Sequence, residues 1–256
     1  MSEKLNEKFN MLKEHGHVVI PHGITKFDSS LFSGDDSITE VSLPDTVTEI
    51  CDYAFMNCTN LTTVKIPNSV TKIGKKAFLC CKNLRNINIP DSVNEIKDKA
   101  FAECTSLKRI IIPDSVIRLG KAAFELCKNL NNVTIYAPVT KIEDRVFNYC
   151  YELTDVTIPV SVTEIGDSAF KLCKSLDSIT IPDSVTKIGK SAFWGCCNLK
   201  KINIPDSVTK IYNSVFSGCV NLENITFPDS VIEIGKCAFA KCRSFTDITI
   251  PKHVKK

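Results

Sequence analysis

The chain has 256 residues, 43% of them hydrophobic, and sets 32 basic against 29 acidic side chains for a formal charge of +3. That apolar supply suffices for a large folded core and excludes a disordered chain. The even charge speaks against a nucleic-acid partner, which needs a concentrated basic face, and no apolar run reaches the ~18 residues of a membrane span.

In chain order, residues 1–19 read as a cap. Leu5, Phe9 and Leu12 stand at i, i+4 and i+7 after Ser2, with Gly16 beyond, and predict an amphipathic helix over 3–14 laid on the structure that follows. The opening MSEKLNEKFNMLKEHGHVVI carries no apolar core of a secretory signal and predicts a cytoplasmic protein. His15, His17 and His22 are loosely spaced, with no carboxylate to complete a metal site, and read as polar residues of the cap.

Residues 20–256 repeat. IPDSVTKI at 181 returns unchanged at 204, and prolines stand at 21, 44, 67, 90, 113, 159, 182, 205, 228 and 251, Tyr136 taking the one missing place. Phe recurs at the same period from Phe32 to Phe239, and Cys from Cys58 to Cys242. The unit, P-D-S-V-T-x-I-G-x-x-A-F-x-x-C-x-N-L-x-x-I-x-I, fits about ten times without insertion. LxxIxI alternates buried and outward side chains, as a strand with one buried face requires. Proline ends the strand because it cannot donate to a ladder, and Pro-Asp-Ser supplies a turn. The pair in VTKI follows, then a position held by Gly in five repeats and by Cys51, Lys97, Glu143 or Tyr212 in the others, so a positive φ is not required there. AFxxC predicts a single helical turn or a tight loop.

One unit cannot bury enough surface to offset about 1 to 2 kcal/mol of backbone ordering per residue, so it needs identical neighbours as lids. The expected product is a solenoid whose in-phase cysteines fill small core slots. The off-phase thiols, Cys51, Cys80, Cys197 and Cys237, are expected at or near the surface.

The pattern L-x-x-I-x-I-P-x-S-V-x-x-I-G-x-x-A-F-x-x-C resembles the BspA-like class of 23-residue leucine-rich repeats over residues 20–254. The resemblance implies a right-handed leucine-rich-repeat solenoid with a parallel β-ribbon on its concave face. Short strands, turns or single helical turns would form the convex face. It also implies a binding role, which many members exercise at cell surfaces on host molecules.

No feature points to catalysis. The four histidines sit at the two ends, no CxxC occurs, and no phosphate-cradling glycine loop is present, so no catalytic, cofactor or metal residue is assigned. The expected activity is a non-enzymatic scaffold that binds a protein through its strand ribbon, the alternative being a surface adhesin for host or matrix proteins. Candidate contacts are the basic cluster Arg85, Lys108 and Arg109, with Asn86, Asn88, Ile111, Asn131 and Asn132 beside it. The irregular coil 136–158 adds Tyr136, Tyr149 and Tyr151. The end at PKHVKK, partway into another unit, suggests a homodimer through the C-terminal coil.

Overall fold

The structure, a computed structural model, describes residues 13, 14, 16–26, 31–245, 250 and 254. The repeats form short strands at two places in the unit, and where these pair they do so in parallel with the equivalent strand 23 residues away. In the first ribbon Val41 lies beside Val64 and Val64 beside Ile87; in the second, Ile50 lies beside Ile73 and Ile73 beside Ile96. The second ribbon has nine strands, from Glu49–Ile50 to Glu233–Ile234. The alternation read in LxxIxI is real: in Arg109–Ile112 the side chains run out, in, out, in.

Part of the cap differs from expectation. Of the helix predicted over 3–14, residues 3–12 lie outside the described residues, while Lys13–Glu14 form a strand antiparallel to His17–Val19, and no described residue is helical. The turn between them depends on Gly16, at φ +82°. The Gly16 carbonyl accepts the N–H groups of Thr39 and Glu40 at 2.8 and 3.2 Å, so the neighbouring coil draws this backbone into the sheet. At Lys13 and Glu14 pairing with His17–Val19 sets an extended backbone in place of a helical one.

The core is a set of ladders. Ten phenylalanines from Phe32 to Phe239 stack with ring centroids 5.2 to 5.9 Å apart. The stack is met edge-on at its far end by Phe227 and Phe245, both against Phe239. Behind the rings, each in-phase thiol donates to the carbonyl of a phenylalanine in the coil before, as Cys127 Sγ does to Phe101 at 3.1 Å. That carbonyl already accepts the N–H of Cys104, so the cysteine slot satisfies a second lone pair as well as filling space. Ser69, Ser92, Ser115, Ser161, Ser184, Ser207 and Ser230 likewise donate to the valine carbonyl of the preceding coil at 2.6 to 2.8 Å. Here lies the structural reason for Ser in PDSV, and Pro138 has no hydroxyl to offer at that slot.

The segment AFxxC takes the tight-loop alternative. In Cys51–Cys58 the N–H groups of Ala54, Met56 and Cys58 close local turns, while those of Tyr53, Phe55 and Asn57 each reach the next coil at 2.8 Å. This alternation needs left-handed backbone at Tyr53 and Asn57 and at their equivalents. Among the described residues sixteen non-glycine residues have positive φ, none of them β-branched, and Gly34, Gly195 and Gly218 occupy equivalents of Asn57. The glycines after VTKI do not have positive φ. Crowding explains them: a Cβ on Gly74 would lie 2.4 Å from the Cys51 carbonyl carbon, and one on Gly189 2.7 Å from backbone atoms of Gly166 and Asp167.

The second ribbon is interrupted twice, between Arg118–Leu119 and Lys141–Ile142 and between Lys187–Ile188 and Lys210–Ile211. Both interruptions place like charges opposite one another, Arg118 against Lys141 and Lys187 against Lys210, an arrangement that weakens pairing. At the same two places the crowded slot holds a side chain, Glu143 or Tyr212. Among the described residues these two lack the N–H bond to the preceding coil that Gly74, Lys97, Gly120, Gly166, Gly189 and Gly235 make. Elsewhere along the ribbon opposite charges pair, as in Lys72–Glu95, Arg118–Glu95, Lys141–Glu164, Lys187–Glu164 and Lys210–Glu233.

Candidate functional site

The first ribbon presents its outward side chains in columns spaced by one coil. Asn132 lies beside Arg109 and Thr134 beside Ile111. This ribbon is also interrupted, between Asn86–Ile87 and Arg109–Ile112 and between Asp155–Val156 and Ser178–Ile179. At the first interruption a depression of about 280 Å³ opens, lined by Asn86, Ile87, Asn88, Arg109, Ile110 and Ile111. Four of the sequence-selected residues thus meet at one place. Arg85, Lys108, Asn131 and Asn132 are exposed in the flanking columns of the same face.

Tyr136 joins them for a backbone reason. Every other in-phase position on this corner is proline; here the tyrosine N–H donates to Ile112 at 2.9 Å, and the strands Arg109–Ile112 and Asn132–Ile135 run to four residues. With Tyr136 65% and Ile111 56% exposed, the pair puts two large apolar side chains on a ribbon whose neighbouring outward residues are polar. A second depression of about 520 Å³ lies further along, between Ser178 and Pro228. There Asn203 exchanges two hydrogen bonds with the backbone of Ile181 and its amide substitutes for strand pairing.

Tyr149 and Tyr151 belong to a different surface. They sit in the AFxxC turn region, edge-on to each other at 6.0 Å, with Lys171 over the Tyr149 and Trp194 rings and Lys174 over Tyr151. The two candidate regions thus occupy different surfaces, the basic cluster and Tyr136 on the strand ribbon and the Tyr149–Tyr151 pair on the turn face. Coil 136–158 also contains Glu143 Oε2 and Asn148 Oδ1, two buried oxygens without a hydrogen-bond partner.

The thiols fall as the period predicts except Cys242, in phase in the last coil but only half-buried. Cys58, Cys81, Cys104, Cys127, Cys150, Cys173, Cys196 and Cys219 are buried, Cys51, Cys80 and Cys197 are half-buried and Cys237 is exposed. Burial pushes the Cys127 and Cys173 thiols far above the ordinary range, and burial followed by the nearby Glu103 raises Cys80 to about 11. Such thiols hold little thiolate at neutral pH and make poor nucleophiles. Among the described residues no group of three or more His, Cys, Asp or Glu is placed to hold a metal ion, and no helix is long and apolar enough to cross a membrane.

With this geometry in hand, the BspA type leucine-rich-repeat region matches the chain in six copies, over residues 25–154 and 140–256. The chain belongs to the BspA-type leucine-rich-repeat family. Its solenoid is similar to a leucine-rich repeat protein from Bacteroides ovatus, with a TM-score of 0.66 and 29% identity over 93% of this chain and 76% of the other. It is also similar to a leucine rich cell surface protein from Faecalibacterium prausnitzii, with a TM-score of 0.53 and 30% identity over 94% and 83%. The pneumococcal vaccine antigen PcpA shares the fold at 20% identity, with a TM-score of 0.55 over 92% of this chain and 66% of that one. None of the curated proteins compared matches. Leucine-rich-repeat solenoids are interaction modules in general, and the family points to protein–protein contact.

Proposed function

We propose that this BspA-type protein is a non-enzymatic scaffold that holds a protein partner against the first strand ribbon. The observation that carries this reading is the interruption between Asn86–Ile87 and Arg109–Ile112. It opens a depression beside Arg109, whose flank carries the exposed Ile111 and Tyr136. An apolar pair beside basic side chains is the composition of an interface core with a charged rim. The neighbouring coils supply Arg85, Asn86, Asn88, Lys108, Asn131 and Asn132 as further contacts. The test is capture of partners from native lysate by the wild-type chain and by the triple variant Arg85→Glu, Lys108→Glu, Arg109→Glu. Loss of one specific protein by the variant supports the reading, and identical capture by both discards it.

The second reading, a surface protein that binds host or matrix proteins, is favoured by the likeness to the Faecalibacterium cell surface protein. Fractionation of the native cell separates it from a cytoplasmic scaffold: the chain in the envelope fraction selects the surface reading.

A further inference from the structure

The turn face carries a third depression, of about 470 Å³, that spans four coils and is lined by Lys75, Lys76, Lys99, Lys121 and Arg145 with Asp98 and Asp144. The charges there are unequal in availability. Asp98 Oδ1 accepts the N–H of Lys121 at 2.9 Å, and Asp144 accepts the N–H of Asp167 at 3.1 Å and the Lys121 ammonium at 2.9 Å. Both carboxylates are thus tied to the solenoid's own coil-to-coil bonding. Among the described residues, Lys75, Lys76, Lys99 and Arg145 form no ion pair. Lys76, Lys99, Ala122 and Arg145 are equivalent positions of successive coils, all in left-handed backbone. Three carry cations. The fourth, Ala122, is only 3% exposed and forms an apolar floor between Lys99 and Arg145.

We propose that this depression binds an acidic peptide segment of a protein partner. The inference rests on the protein-binding reading above and adds a site on a different face. Two coils separate Lys99 from Arg145, roughly 10 Å at the ordinary strand spacing, and acidic residues three apart in a polyproline-II peptide share one face and span about 9 Å. Arg145 offers two parallel donors to a carboxylate, and the lysines supply point charges beside it.

The experiment is fluorescence anisotropy with the full chain and a labelled peptide bearing Glu at every third position, its Gln counterpart serving as control. The expected result is saturable binding of the Glu peptide alone. It should weaken about fivefold or more in Lys76→Gln, Lys99→Gln, Arg145→Gln and with a rise from about 50 to 300 mM salt. The ribbon variant Arg85→Glu, Lys108→Glu, Arg109→Glu should bind the peptide as the wild type does. Three results overturn the proposal: no saturable binding, equal binding by the neutralised variant, or preference for heparin over the Glu peptide, which would assign the site to sulfated polysaccharide. None of these touches the ribbon reading, which stands or falls on its own capture experiment.

Discussion

At the residue scale, the left-handed positions are what the family pattern conceals. Ser191 sits at φ +54° in the slot that Lys76, Lys99 and Arg145 fill elsewhere, so many side chains are tolerated there and no glycine signature marks it. The conformation still costs an L-residue about 1 to 2 kcal/mol, and a β-branched side chain more. Ser191→Gly should raise the melting temperature and Ser191→Val lower it; changes of the same sign in thermal melts would show that the backbone there is not strained. The cysteine ladder gives a second prediction. In maleimide labelling followed by intact mass, Cys237 should react first and Cys51 and Cys197 next. The eight buried ladder thiols should react only after denaturant, because burial raises their pKa and excludes the reagent. Rapid labelling of all thirteen in the folded chain would mean that the coils do not cover one another.

At the element scale, the second ribbon is interrupted at two places where the repeat departs from its consensus. Glu143 and Tyr212 introduce a Cβ where Gly120 and Gly189 leave none, and each interruption also sets two cations face to face. Hydrogen exchange should therefore be faster at the N–H of Glu143 and Tyr212 than at the equivalent N–H of Gly120, Gly166 and Gly235, which donate at 2.7 to 2.8 Å. Uniform protection along this column would contradict the interruptions. The strands, the turns and the phenylalanine column were legible because they depend on period and polarity alone. The charge column from Glu49 to Glu233 was equally available at a spacing of 23, and reading down the columns would have shown both the alternation and its two faults.

At the scale of the whole molecule, stability is spread over nearest-neighbour contacts between coils, and acid should loosen many of them together. In Asp52, Asp144 and Glu164 burial alone would raise the carboxyl pKa. Hydrogen bonds and ion pairs with the neighbouring coils outweigh it and hold each group below its ordinary value. A carboxyl lowered by folding stabilises the fold above its unfolded pKa and loses that contribution as pH falls through the folded one. The melting temperature should hold between about pH 7 and 5 and decline below about pH 4, as these side chains protonate. Because the three groups are partly solvent-accessible, the decline should be gradual and smaller in high salt. A melting temperature that rises on acidification would reverse the sign.

By itself the sequence determined the repeat, the two strand segments of each coil, the buried phenylalanines and thiols, and the outward columns. Each follows from a 23-residue period combined with the alternation of apolar and polar side chains. Only the tertiary structure decided the rest, because it depends on what one coil meets in the next. Facing backbones, not φ, favour the glycines after VTKI. The Pro-to-Tyr136 change lengthens two strands by restoring an N–H, and the Tyr149–Tyr151 pair falls on a different surface from Arg109. The basic depression around Ala122 arises because four positions, each unremarkable within its own repeat, stack onto a single face.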